Sequence, residues 1–113
     1  MAVRAGNLGE GLPAPPLAGE LTETLCHLPG LRIERIVSTG QTTPPGEWLE
    51  QGRDEWVVVV QGEAEVSFAD GSHLALGVGD DAIIPAGTRH RVERTSTTPP
   101  CIWLAVHASD LSR

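Results

Sequence analysis

The stretch "EWVVVVQGEAEVSFADGSHLALGVGDDAIIPAG", residues 55–87, constrains the fold more than any other part of the chain: runs of β-branched and apolar residues are cut every six to ten residues by Gly, Asp-Gly or Pro. Runs this short are below the length of a stable helix, and their β-branched content suits pleated strands. Even spacing of short strands predicts an all-β sandwich or a small antiparallel β-barrel. Asp70-Gly71, between "EAEVSFA" and "SHLAL", predicts a tight hairpin, because such turns need the positive φ that Asp and Gly tolerate. Upstream, "ELTETLCHLPGLRIERIVSTG" holds two more strand-like runs broken at Pro29-Gly30, the second containing Ile33, Ile36 and Val37. "CIWLAVH", residues 101–107, reads as a buried closing strand, and no segment shows helical periodicity. "TTPP" occurs at 42–45 and again at 97–100, and both copies read as loops leading into ordered segments.

A chain of 113 residues suits one domain with one core. Residues 1–20, rich in Gly, Pro and Ala, predict an irregular arm, and residues 21–113 the barrel domain. A net charge of -7 without a basic patch argues against nucleic acid and anionic membranes as partners. Cys26 and Cys101 form no CxxC pair and no disulfide framework; both read as small buried apolar residues in a reducing compartment. With neither an apolar signal segment nor eighteen consecutive apolar residues, the expected location is cytoplasmic.

Strand alternation places Glu55, Val57 and Val59 on one face and Trp56, Val58 and Val60 on the other. The same rule groups His90, Val92 and Arg94 against Arg89, Arg91 and Glu93.

These residues resemble the two signature stretches of the cupin family. In the second signature Gly79, Pro85, Gly87 and His90 match, and Arg94 stands where that family has Asn. In the first, Glu55 and Gly62 match the closing Glu and Gly, while the preceding His-x-His is missing. The resemblance runs from about Ile36 to His107 and implies an all-β fold of cupin type: a small antiparallel barrel or double-sheet jelly roll, commonly a homodimer. It further implies that Glu55 and His90 point inward near one another.

Cupins generally hold a divalent metal with three histidines and one glutamate, of which this chain matches Glu55 and His90. The family spacing puts the second His of His-x-His at Gln51 or Glu50, and proteins of this resemblance tend to carry Gln there. Gln51, Glu55 and His90 are therefore the expected ligands of a divalent ion (Zn, Fe, Mn or Ni), with Glu55 and His90 also the candidate proton-transfer groups. For His90 the competing role is a hydrogen bond to a backbone carbonyl; for Gln51, a surface or loop-capping role. Trp48 either stacks on a ligand near the mouth or packs as interface. Arg94 either neutralises an inward glutamate or receives an anionic ligand. His107 shares a strand face with Cys101, Trp103 and Ala105 and is assigned to the core, while His27 and His73 read as ordinary strand or turn residues. The resulting expectation is a small polar ligand bound in the barrel through a metal. A ligand- or metal-sensing module, or a metal-free binding barrel, is the alternative, and whether the protein is an enzyme stays open.

Overall fold

The computed structural model describes residues 2–14 and 17–112; of the expected arm, residues 1, 15 and 16 lie outside that description, as does residue 113. Eight strands follow one another: β1 (Leu21–Leu28), β2 (Leu31–Ser38), β3 (Asp54–Gln61), β4 (Ala64–Phe68), β5 (His73–Leu76), β6 (Asp81–Ile84), β7 (His90–Thr95) and β8 (Cys101–Ala108). They form a five-stranded sheet in the order β1-β2-β8-β3-β6 and a three-stranded sheet in the order β5-β4-β7, with every pairing antiparallel. The result is a double-sheet jelly roll rather than a closed barrel, and no helix occurs among the described residues.

The hairpins lie where the turn residues put them. β1 and β2 meet at Pro29-Gly30, with Gly30 at φ 82°, and β4 and β5 meet at Asp70-Gly71, with Gly71 at φ 92°. In the second turn the Asp70 carboxylate accepts the Ser72 N–H at 2.9 Å, which ties the corner to itself. In β3, Glu55, Val57 and Val59 are buried while the alternate positions are only half-buried, as the period of two requires. The core joins the two sheets through Val57, Val59, Cys101 and Trp103 on one side and Ala64, Val66 and Leu76 on the other.

Two local expectations are corrected. Cys26 is exposed, because β1 is an edge strand with a bulge between Thr24 and Cys26, and Leu25 and Leu28 also stand in solvent there (47% and 55% exposed). Arg94 does not share a face with His90. Val66 pairs with Val92 and the adjacent Glu65 pairs with Arg94, so Glu93 is an extra residue in β7. That bulge reverses the alternation, turning Arg94 outward to Glu63 at 3.1 Å and Glu65 at 3.7 Å. The arm is tied to the domain. Arg35 on β2 is buried, and its guanidinium donates to the carbonyls of Leu8 (3.0 Å) and Glu10 (2.6 Å) and pairs with Glu23.

Gly62, between β3 and β4, is the tightest glycine. Its φ is +76°, and a Cβ there would meet Ser96 Oγ, the Pro100 carbonyl oxygen at 2.9 Å and Cys101 Cα at 3.0 Å. Gly30 has a similar φ of +82° but open space around it. Gly30→Ala should therefore lose only the left-handed backbone cost, about 1 kcal/mol, whereas Gly62→Ala adds a backbone clash and should lose roughly twice that or more. Equal melting temperatures for the two variants in a calorimetric scan would contradict the close packing at Gly62.

Candidate functional site

Cross-strand register builds the site. His107 of β8 lies opposite Arg32 of β2 on one side and Glu55 of β3 on the other, and Glu55 in turn lies opposite Ile84 of β6. One residue pair further along, Glu34 faces Ala105, and then Ile36 faces Trp103. A row of polar groups thus crosses the large sheet beside a row of apolar ones, and these side chains line one cavity of about 530 Å³ between the two sheets. Val66, Phe68, Leu74 and Leu76 of the small sheet form its apolar wall, together with Val92 of β7.

His90 comes to this cavity from the opposite sheet, held by its own backbone. Its N–H donates to the Leu49 carbonyl at 3.0 Å, and the Leu49 N–H returns a bond to the His90 carbonyl at 2.7 Å. The same loop is pinned further along, where the Gly87 N–H donates to the Gln51 carbonyl at 2.9 Å and the Val92 N–H donates to Thr43 Oγ1 at 2.9 Å. His90 Nδ1 lies 2.9 Å from the Thr88 carbonyl oxygen. A carbonyl can only accept, so Nδ1 carries a proton and donates to it. The backbone-carbonyl bond weighed for His90 is thus present at Nδ1.

Glu55 and His107 are both buried, at 8% and 6% exposure. His107 Nε2 is 2.8 Å from Glu34 Oε1 and 3.7 Å from Glu55 Oε2, so its hydrogen bond goes to Glu34 and only an ionic contact reaches Glu55. Burial pushes the Glu55 carboxyl above the usual carboxylate range; His107 and His90 pull it back in part, and Glu34 and Glu20 add to the rise. Glu20, ahead of β1, is likewise raised by burial, against a hydrogen bond from Ser38 Oγ at 3.2 Å.

Gln51, Glu55 and His90 all line the cavity, but Trp48 and Arg94 do not. Trp48 is 37% exposed and carries the Arg89 guanidinium over its ring, 5.7 Å from the centroid. Arg94 faces away because of the bulge in β7. His107, assigned to the core from its strand face, is instead a polar member of the cavity wall, and Glu34 and Glu20 join it. The signal for Glu34 was present: in "LRIERI" the face of Arg32, Glu34 and Ile36 carries two charges, unusual for an inward face. The pairing of His107 with Glu34 needed the strand order.

The donor set was tested against the divalent ion that the motif resemblance implies. Among the described residues no three His, Cys, Asp or Glu side chains are grouped to hold one. Gln51, Glu55 and His90 provide one amide, one carboxylate and one imidazole, and the second buried imidazole is committed to Glu34. Borderline divalent ions favour several nitrogen or sulfur donors, so these residues do not fit a resident metal.

Comparison with known proteins follows the same lines. A family model described as a cupin domain matches residues 35–107. A structure from Ralstonia eutropha JMP134, provisionally assigned as a mannose-6-phosphate isomerase, is 40% identical, with a TM-score of 0.89 over 95% of this chain and 99% of that one. An RmlC-like cupin from Desulfovibrio desulfuricans is 20% identical, with a TM-score of 0.74 over 95% and 97% of the two chains. A cupin superfamily protein from Desulfitobacterium hafniense DCB-2 is 21% identical, with a TM-score of 0.70 over 96% and 100%. At these lower identities the last two bear on fold alone. No curated protein matches the chain. With its two signature halves, its jelly-roll topology and a family match spanning most of its strands, the chain belongs to the cupin family.

Proposed function

We propose that the protein binds a small polar molecule in the cavity between its sheets without a resident metal ion, Glu55 and His90 being the groups that grip it. One observation carries this reading. Glu55, whose carboxylate lies 3.7 Å from His107 Nε2, and His90, held to backbone through Nδ1, are both buried and reach the same cavity from opposite sheets. Taking a carboxylate out of water costs stability, and a bound molecule that hydrogen-bonds to Glu55 offsets that cost. A volume of about 530 Å³ accommodates a ligand up to sugar size, within the usual range for small-molecule sites. The similarity to the provisionally assigned mannose-6-phosphate isomerase supports a polyhydroxylated ligand of that size.

The arrangement also supplies what proton transfer requires. A carboxyl raised by burial is a stronger base than an exposed one, and the His90 imidazole reaches the cavity from the opposite wall. His107, tethered to Glu34, acts as a positioning residue for Glu55 rather than as a contact group.

Two measurements check the reading. Metal-stripped wild type titrated with Zn, Mn or Ni at pH 7.5 should show no change in melting temperature. A rise with any ion that disappears in His90→Ala would replace the metal-free reading with a metal-dependent one. The second uses pH. Because the folded-state carboxyl of Glu55 is raised above its unfolded value, the folded protein holds that proton more readily. The stability this contributes is complete at low pH and is lost as pH rises through the folded value. Glu55→Gln should therefore melt about 4 °C above wild type at pH 8, a gain on the order of 1 kcal/mol, and no higher than wild type at pH 4. A variant less stable than wild type at pH 8 would mean that partners inside the protein already compensate the Glu55 charge.

A further inference from the structure

Charge distribution narrows the ligand class, on the basis of the binding reading above. Three carboxylates line the cavity, Glu20, Glu34 and Glu55, against one guanidinium, Arg32. Arg32 Nε lies 3.2 Å from Glu34 Oε2, so its charge is already offset by that carboxylate. With His90 and His107 neutral the wall carries two net negative charges; with both protonated it carries none. At no protonation state of the imidazoles with the carboxylates ionised does the wall become positive.

The remaining arginines of the β-sheets and the loop ahead of β7 are committed elsewhere. Arg91 donates to the carbonyls of Thr43, Pro44 and Glu47 and pairs with Glu93 at 2.7 Å. Arg94 pairs with Glu63 and Glu65 on the outer face, Arg35 clamps the arm, and Arg89 sits over Trp48. A phosphate usually calls for a bidentate arginine, a lysine or a cluster of free backbone amides. The chain contains no lysine at all, and none of its placed arginines faces the cavity unpaired.

We infer that the cavity selects a small polyhydroxylated molecule bearing an ammonium group, which Glu55 receives, and rejects phosphorylated ones. The apolar wall of Val66, Phe68 and Leu76 takes the carbon skeleton, and His90 Nε2 accepts from a hydroxyl on the far side. The charged and titratable groups facing Glu55 are Glu20 ahead of β1, Arg32 and Glu34 on β2, His90 on β7 and His107 on β8; two of them add negative charge and none reverses the sign.

The test uses two skeletons, each in amine, neutral and phosphate form: 3-amino-1,2-propanediol, glycerol and glycerol 3-phosphate; glucamine, sorbitol and sorbitol 6-phosphate. Binding is measured calorimetrically to the full chain at pH 7.5. Glucamine should bind at least tenfold more tightly than sorbitol, sorbitol 6-phosphate more weakly than sorbitol, and the glycerol series in the same order. The glucamine preference should vanish in Glu55→Gln. Glu34→Gln, which keeps Glu55, should retain most of it, so that a folding defect in one variant does not decide the matter. Equal binding of glucamine and sorbitol, or tightest binding of the phosphates, overturns the amine selectivity and leaves the cavity-binding reading standing. Failure of all six to bind overturns both.

Discussion

Strand β8 is hydrogen-bonded along both edges, to β2 over its whole length and to β3 over nearly all of it, and the rest of the molecule is arranged around that pairing. It brings the beginning of the ordered chain against its middle, so the five-stranded sheet exists only once the last strand is in place. The same strand carries Cys101, Trp103, Ala105 and His107 inward: Cys101 and Ala105 pack the core, Trp103 belongs to both core and cavity wall, and His107 lines the cavity. Core and site are therefore one surface, divided by register. Near the Gly62 turn Trp103 lies beside Val59, and towards the other end of β8 His107 lies beside Glu55.

Placing ionisable groups in that row is costly, since transfer of an unpaired charge from water into protein costs several kcal/mol. The structure reduces the cost unevenly. His107 and Glu34 satisfy one another at 2.8 Å, and Arg32 meets the second oxygen of Glu34 at 3.2 Å. Glu55 is left with a long contact and a raised carboxyl. Uneven compensation of this kind is what separates a site from a structural ion-pair network. The groups left incompletely paired are those that face open volume.

Away from the cavity, Arg35 is a second buried charge, held largely by backbone, with its Nε left without a hydrogen-bond partner among the described residues. It lies on the other face of β2, buried, with two backbone carbonyls of the arm and one carboxylate around its guanidinium. A glycine- and proline-rich segment that forms no strand among its described residues is held through carbonyl groups that a helix or sheet would have consumed. The arm is thus part of the folded domain at the point where a buried cation needs its oxygen atoms.

Much of the fold was legible because strand geometry is local. Period-two alternation in "EWVVVV" put Glu55 with Val57 and Val59, and turn chemistry at Pro29-Gly30 and Asp70-Gly71 set two hairpins, since a pleat and a positive φ depend on a few neighbouring residues. Strand alternation also put His90 and Val92 on one face, and both line the cavity. It then misplaced Arg94, because a single extra residue at Glu93 reverses every side chain beyond it, and a bulge is decided by the partner strand rather than by the bulged one. His107 and Glu34 were beyond reach for a related reason. They are 73 positions apart in the chain and meet at 2.8 Å only because β8 inserts between β2 and β3. The sequence by itself determined which residues alternate inward and where the chain turns. Only the tertiary structure decided which inward residues became neighbours, because strand order is a property of the whole sheet and no local stretch of chain encodes it.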